Sequence, residues 1–367
     1  MKVATPDLIP GCILLRDVKG KTNRPIIPKN TVLEEIHIQV LKKFLVEQVE
    51  VSKTLASGEI YVPKRKEAVQ QKKAEETAVQ LKKRTLPFQA RLEEAKEKYK
   101  DIFQRLQNHL PLEIGEVRNI ILPLLESTEE IDREVYMLHH YTTKEDYIFY
   151  HSIAVGITSS FIARKLNFEK KEWMQIGLAG FLSDCGMAKI HPDIVFKEGL
   201  LSSEELAQIK KHPTYSYRLV ENIPSLSAQV KLAILQHHER MDGSGYPLGL
   251  TGDKIHKYAR IIAISDMYHA MTSERLYKEK QSPFKVIEEI EQDQFSKLDP
   301  EIVRSFIRNL ANFSIGTKVR LSNKKNAEIV FIDPNKPTRP MVRFQDSGEI
   351  ISLQHVPDLY IEEIVSQ

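Results

Sequence analysis

Apolar residues recur at helical spacing through the middle of this chain and at strand spacing near both ends. Residues 111–312 consist of amphipathic runs of helix length separated by short loops, without sustained alternation of polar and apolar positions. Residues 1–62 alternate short apolar pieces with turn residues and contain one short amphipathic helix, around 34–44. Beyond residue 312, the segments TKVRLS, AEIVFI and MVRF have strand composition and are separated by proline-containing turns. The pattern therefore predicts a mainly α chain, with a helical domain between a small α+β module and a β-rich tail.

A charge-dense segment before the helical domain has the periodicity of one long helix in its second half. From Phe88 to Leu106, apolar residues recur at spacings of three and four over about three heptads. Such a stripe is typical of a coiled coil or of a helix packed on a neighbour, and a solvated linker helix is the alternative. The 85–110 helix is therefore a candidate homodimer contact. The predicted domains are the α+β module 1–62, the helical linker 63–110, the helical domain 111–312 and the β-rich region 313–367.

Composition narrows the classes of partner and compartment. The chain has 367 residues, with 53 basic and 50 acidic side chains, so a net charge of +3 gives no reason to expect a nucleic-acid polymer or a membrane surface as partner. No apolar run reaches the roughly 18 residues of a membrane span. The two cysteines, Cys12 and Cys185, are too far apart for a paired metal-ligand motif. We expect a cytoplasmic, reduced protein.

The stretch QHHERMDGSGYP, residues 236–247, places adjacent histidines beside a glycine-rich turn. Other histidines and aspartates interrupt or end apolar helical runs of the same domain, and a lone residue of this kind is usually a satisfied core residue. Several such histidines and aspartates in one domain indicate a site, because burying an ionised aspartate is costly unless a cation or another partner compensates its charge. Neighbouring helical residues point about 100° apart, so paired histidines suit two adjacent metals, which can activate water and clamp a phosphodiester. The predicted cluster is His151, Asp184, His212, His237, His238 and Asp266.

The motif HHERMDGSGYP resembles the signature of the HD-GYP family, a branch of the HD-superfamily phosphohydrolases. The segments DYIFYHSIAVG, EELAQIKKHPTYS and ARIIAISDMYHAMTSERLYK agree in order and spacing, so the resemblance covers about residues 138–312. It implies an all-helical HD-type bundle that hydrolyses cyclic di-GMP with divalent ions, iron or manganese being expected. A bacterial signalling role follows from the same resemblance.

Carried over position by position, the resemblance implies that the six residues of the predicted cluster are metal ligands. Asp184 would bridge two ions at the catalytic centre, and Tyr147 stands where three-metal members carry glutamate, so at most two ions are implied. Arg275 and Lys278 match basic residues that contact the substrate phosphate. Tyr246, in the GYP loop, would hydrogen-bond to guanine or stack on it.

The motif that names the superfamily is altered here. Its histidine is replaced by Ser183 and its lysine by Met187. Serine is a poor ligand for a divalent ion. Even the loss of a residue that only hydrogen-bonds to a metal ligand typically lowers affinity or activity about 10–100-fold. His269, one turn after Asp266, is a candidate substitute ligand, and His191 and Lys189 also lie near the altered motif in sequence.

Two functions therefore stay open. The first is a cyclic di-GMP phosphodiesterase with an altered two-metal site and weak hydrolysis. The second is a non-hydrolysing module that binds cyclic di-GMP or a signalling protein. Elsewhere in the domain, His139 and His140 are expected at a solvated helix end.

Overall fold

The computed structural model describes residues 1–19, 25–61, 87–129, 131, 134–274, 280–293, 296–310, 315–334 and 336–366. The chain divides into two compact units, Met1–Leu86 and Pro87–Gln367. The first half of the predicted linker, residues 63–86, lies outside the described residues.

The first unit is a small α+β module, as its alternating pattern predicts. Two antiparallel strand pairs flank one helix, and the elements are β1 Lys2–Ala4 paired with β4 Gln48–Glu50, β2 Val18–Lys19 paired with β3 Pro25–Ile27, and α1 Glu35–Lys43. Ile38 and Leu41 on the inner face of α1 are buried with Val3, Val49 and other apolar residues of this unit. The module thus has a core of its own.

The second unit is a helical bundle that continues into a β-sheet. Ser202 and Glu205 form a capping box at one helix start, Ser227 caps another, and Pro213 lies in the first turn of a third. Two 3₁₀ stretches, Glu134–Tyr141 and Cys185–Lys189, join longer helices. The helices are α2 Phe88–Gln107, α3 Ile114–Ser127, α4 Tyr147–Lys165, α5 Lys170–Leu182, α6 Pro192–Val195, α7 Ser203–Ile209, α8 His212–Val220, α9 Ala228–Gln236, α10 Lys257–Thr272, α11 Pro283–Asp293 and α12 Pro300–Leu310. The prediction of an all-helical bundle is confirmed, and the compact unit that contains it begins at Pro87.

Helix α4 is the centre of the bundle. Every residue from Ile148 to Ala163 is buried, as is typical of a helix surrounded by others rather than lying at a surface. Its neighbours include α2, α3, α5, α10 and α12. Since α4 carries His151 near its beginning, this central position places that imidazole inside the protein.

The apolar stripe of α2 is covered by the same chain. Leu92, Tyr99 and Leu106 are buried, and the Tyr99 ring lies 4.6 Å from that of Phe181 in α5 and 6.3 Å from that of Phe149 in α4. The expectation of a homodimer seam along this stripe is therefore corrected, because the apolar side chains that would form it already pack against the bundle. Of the interpretations given above, a helix packed on a neighbour describes α2.

The β-rich tail forms a five-stranded antiparallel sheet in the order β8-β7-β6-β5-β9. Its core includes Phe284 of α11, and Arg339 forms a bidentate ion pair with Glu288 of the same helix at 2.5 and 2.6 Å. The sheet is thereby attached to the bundle. The strands are β5 Lys318–Leu321, β6 Asn326–Phe331, β7 Met341–Phe344, β8 Ile350–Ser352 and β9 Ile361–Ser366. Among the described helices, none combines the length and the apolar character that crossing a bilayer requires.

Candidate metal centre

Six side chains that are far apart in sequence approach one another inside the bundle. They come from the first turns of α4, the end of α5, the start of α8, the end of α9 and the middle of α10. They form two groups that share one aspartate, and within each group one donor atom per residue lies within 4.8 Å of the others. We call Asp184, His212, His237 and His238 the histidine group, and His151, Asp184 and Asp266 the carboxylate group. The residues that the sequence predicted as a cluster are thus brought together.

The histidine group is a set of nitrogens facing one carboxylate oxygen. His212 Nε2 lies 3.2 Å from His237 Nε2 and 3.1 Å from His238 Nε2. Asp184 Oδ1 lies 3.0 Å from His212 Nε2 and 3.4 Å from His237 Nε2. All four side chains therefore point at a common centre.

The backbone sets which ring nitrogens carry hydrogen. His212 Nδ1 lies 2.8 Å from the carbonyl of Ile209, and His237 Nδ1 lies 2.7 Å from that of Ile234. A carbonyl oxygen can only accept, so each Nδ1 donates and each neutral ring directs a bare Nε2 lone pair inward. The opposite nitrogen of His238, Nδ1, faces Asp266 Oδ2 at 3.5 Å, and burial lowers the pKa of His238 well below its usual range.

These lone pairs fit a cation. Uncharged imidazole nitrogens 3.1–3.2 Å apart repel one another unless a proton or a metal ion lies between them. Asp184 Oδ1 is buried and accepts no hydrogen bond from the described residues. Buried acceptors of this kind are costly when left unpaired, whereas three imidazoles and a carboxylate suit zinc, iron or manganese. The backbone carbonyls at Nδ1 are the partners that metal-binding histidines usually have.

The carboxylate group has fewer donors and is already hydrogen-bonded. His151 Nε2 lies 3.0 Å from Asp266 Oδ1 and 3.3 Å from Asp184 Oδ2, and carboxylates accept, so Nε2 donates here. Burial lowers the pKa of His151, but the hydrogen bonds and charges of Asp184 and Asp266 outweigh it and raise that pKa to about 9. Burial likewise opposes ionisation of both aspartates, yet the hydrogen bonds from His151 help to bring the pKa of each below its usual range.

His269 lies behind His151 rather than in either group. Its Nδ1 is 3.0 Å from His151 Nδ1, on the side of that ring away from the carboxylates, and its Nε2 is 3.3 Å from Thr142 Oγ1. Tyr147 stacks on His151 with ring centroids 5.1 Å apart, and its hydroxyl lies 3.2 Å from His151 Nδ1. His269 and Tyr147 therefore support the orientation of His151. Neither donor group includes His269, so the expectation that it replaces the missing ligand finds no support among the described residues.

The altered motif has new partners for both of its substituted positions. The Ser183 hydroxyl donates to the carbonyl of Gly180 at 2.7 Å, and Met187 packs against the apolar core. Lys189 donates to the Leu106 carbonyl at 2.5 Å, so its ammonium lies at the end of α2 and does not replace the lost charge. Cys185 is fully buried, which raises the pKa of its thiol to about 12 and agrees with a packing role.

Ser216 was not singled out by the sequence, yet it connects the Asp184 segment to α8. Its hydroxyl accepts from the Gly186 N–H at 2.7 Å and donates to the Ser183 carbonyl at 2.6 Å. Gly186 is required by this close approach, because a Cβ there would lie 2.3 Å from both the His212 carbonyl oxygen and the Ser216 nitrogen. The backbone on both sides of Asp184 is thus held against the helix that begins with His212.

The GYP loop folds back over the paired histidines. A Cβ on Gly245 would lie 2.4 Å from the Arg240 nitrogen and 2.5 Å from the Glu239 Cα, so only glycine allows this approach. Buried Glu239 accepts the backbone N–H groups of Leu248 and Leu250 at 2.7 and 2.9 Å. The loop is therefore fastened to the residue that follows His238, a role that the sequence did not reveal.

Tyr246 forms part of the rim of this site. Its ring stacks on His238 with centroids 4.7 Å apart, and Lys210 Nζ lies 5.6 Å from the centre of the same ring. Arg275 and Lys278, the predicted phosphate contacts, lie outside the described residues. His191 is an exposed residue at the start of α6, where its side chain accepts the Asp193 N–H, and it does not belong to either group.

One expectation about histidines is wrong. His139 is 8% exposed and its Nδ1 has no hydrogen-bond partner among the described residues, whereas the adjacent His140 is exposed. The 3₁₀ stretch 134–141 turns the first side chain into the core. Burial, followed by the neighbouring charges of His140 and Lys280, lowers the pKa of His139 to about 3.

Together, the all-helical bundle and its buried histidine–carboxylate groups define an HD-type domain with a candidate metal centre. Residues 125–302 match the HD domain family. A cyclic di-GMP phosphodiesterase of Pseudomonas aeruginosa is 33% identical over 59% of this chain and 53% of its own length. A 3′3′-cGAMP-specific phosphodiesterase of Vibrio cholerae is 27% identical over 55% of this chain and 42% of its own length. The chain thus spans about half the length of these relatives.

Among solved structures, a HDG"Y"P protein from Bdellovibrio bacteriovorus has a TM-score of 0.49 and 14% identity, over 83% of this chain and 97% of its own. The family match, the similar phosphodiesterases and the GYP motif agree. Residues 125–302 are therefore identified as an HD domain, and the similar cyclic di-GMP phosphodiesterase supports the resemblance of this domain to the HD-GYP branch.

Proposed function

We propose that this protein binds cyclic di-GMP at the two groups and hydrolyses one of its phosphodiester bonds slowly, with the help of divalent cations. The observation that carries the proposal is the convergence of three imidazole nitrogens and an orphaned carboxylate oxygen on one buried point. The similar proteins named above act on cyclic dinucleotides, which supports this substrate class. Iron or manganese are the expected ions, two at most.

Each side chain has a distinct task in this proposal. The histidine group would hold one ion, and His151 and Asp266 would hold a second one. Asp184 has one oxygen toward each group and would take part in holding both ions. Bound divalent cations polarise a phosphodiester and lower the pKa of a water molecule. Asp184 and Asp266 would also accept hydrogen bonds from that water.

The rim residues suit a purine dinucleotide. Tyr246 presents an aromatic ring stacked on His238, so a planar guanine has an aromatic neighbour directly beside the proposed ions. Lys210 lies over the same ring and brings a positive charge to the entrance. Arg275 and Lys278 remain the proposed phosphate contacts from the resemblance.

A second candidate is a module that binds the nucleotide, or a signalling protein, without hydrolysis. The observation that favours it is the altered motif: the Ser183 hydroxyl is used by Gly180, and the Met187 side chain packs on the core. Preorganised charge at a reacting phosphate contributes several kcal/mol to catalysis, and Met187 cannot supply it.

Two measurements on one preparation distinguish the enzyme from the binding module. Metal content by elemental analysis is measured together with the formation of linear dinucleotide from cyclic di-GMP. Bound metal and slow product formation support the enzyme, whereas bound metal and bound nucleotide without product support the module. We expect Ser183→His combined with Met187→Lys to increase the hydrolysis rate at least about 10-fold. The control is Met187→Leu, which keeps the packing without adding charge; no gain in the double variant over this control contradicts the assignment of weak hydrolysis to these two positions.

A further inference from the structure

The two donor groups are unequal, and this inequality has consequences for how the protein takes up metal. We infer that the histidine group binds one divalent cation tightly while the carboxylate group binds a second one at least about 10-fold more weakly, so that the chain holds a single ion at limiting metal. The inference rests on the metal-binding part of the proposed function and adds an order of filling to it.

The first observation is the number and state of the donors. The histidine group offers four donor atoms, three of them imidazole nitrogens. Two of those rings donate Nδ1–H to backbone carbonyls at 2.8 and 2.7 Å, so their Nε2 lone pairs are already directed inward. A cation entering this group replaces no hydrogen bond and relieves the repulsion among acceptors.

The carboxylate group is different on both counts. It offers three donor atoms, and one of them comes from Asp184, whose other oxygen faces the histidine group. His151 Nε2, the single nitrogen, is engaged in a hydrogen bond to Asp266 Oδ1 at 3.0 Å. A cation here must break that bond and displace the Nε2 proton, while His269 Nδ1 and the Tyr147 hydroxyl lie 3.0 and 3.2 Å from His151 Nδ1 on the other side of the ring.

The position of Ser183 explains which group has lost a donor. Helices α4 and α5 pack in opposite directions, and a Cβ on Gly180 would lie 3.0 Å from the Val155 carbonyl oxygen and 3.3 Å from the Gly156 Cα. Ser183 follows Gly180 by one helical turn and therefore lies near the beginning of α4, where His151 is. Its hydroxyl is directed to the Gly180 carbonyl instead of to a cation. A larger, nitrogen-bearing side chain at this position would complete the carboxylate group.

The test is a Mn²⁺ titration of the full chain after chelator dialysis, followed by electron paramagnetic resonance. Free Mn²⁺ gives the binding isotherm, and an exchange-coupled spectrum reports two adjacent bound ions. We expect one tight equivalent with a mononuclear spectrum and a second equivalent at least about 10-fold weaker. Two equivalents of indistinguishable affinity, or a coupled spectrum below one equivalent, overturn the inference but leave the proposed function standing. Absence of any bound ion sinks both.

Variants assign the two equivalents to the two groups. Ser183→His is expected to tighten the second equivalent about 10-fold or more, whereas Ser183→Ala is the matched control and leaves both affinities unchanged. Should Ser183→His fail to fold, His151→Gln and His237→Gln still decide the matter. The first is expected to remove only the weak ion and the second to remove the tight one; the reverse result contradicts the inference.

Discussion

Replacement of Ser216 by alanine tests whether the Asp184 segment is held in place by one buried hydroxyl. That hydroxyl accepts from the Gly186 N–H and donates to the Ser183 carbonyl, at 2.7 and 2.6 Å. All three residues are buried, so water cannot easily replace the lost partner. Each buried backbone group left unpaired costs about 1–3 kcal/mol, and after partial relaxation we expect Ser216→Ala to lower the free energy of unfolding by about 2–4 kcal/mol.

The chain offers both a reporter and a control for this measurement. Its single tryptophan, Trp173, is buried in α5, so urea titrations followed by tryptophan fluorescence report on the helical bundle. Ser159 is equally buried, but its hydroxyl has no hydrogen-bond partner among the described residues. We therefore expect Ser159→Ala not to lower the free energy of unfolding, because no hydrogen bond is lost.

The comparison of the two serine variants is decisive because the same atom is removed from the same kind of environment. If Ser216→Ala and Ser159→Ala have equal unfolding free energies, the hydroxyl does not hold the segment and the reasoning is refuted. A change in the slope of the urea dependence would instead report an altered denatured or native state.

Three further outcomes are expected. Gly245→Ala should destabilise the GYP loop by about 1–3 kcal/mol and weaken cyclic di-GMP binding, measured by amide hydrogen exchange and calorimetry, because the added Cβ meets backbone atoms at 2.4–2.5 Å. Burial lowers the pKa of His139 from 6.5 to about 3, so this side chain takes up a proton on unfolding and the free energy of unfolding should fall as the pH drops below 6.5. Between pH 7 and 5, urea titrations should show that His139→Phe removes about 2 kcal/mol of this fall. Adding Mn²⁺ at about 100 times its dissociation constant should raise the free energy of unfolding by about 2.7 kcal/mol, an effect that chelator reverses, and an unchanged urea midpoint would contradict metal binding by the folded state.

Much of the architecture is readable from local patterns along the chain. The three-and-four spacing from Phe88 to Leu106 predicts α2, and the apolar segments after residue 312 predict the strands of the sheet. The six residues of the cluster are also recognisable, because polar side chains that interrupt apolar helical runs are costly without partners. These features depend on neighbours a few residues away, so the order of amino acids is sufficient to indicate them.

The state of the site depends on contacts between distant segments, which no local pattern contains. Ser216 meets the Gly186 backbone across 30 residues, and His151 meets His269 across 118. Such contacts determine which imidazole nitrogens keep a free lone pair, which carboxylate oxygen has no partner and how the Ser183 hydroxyl is used. They also bury the stripe of α2 within its own chain and turn His139 inward. Spacing along a helix shows which face a side chain occupies, but hydrogen bonding and burial depend on what folding brings against that face.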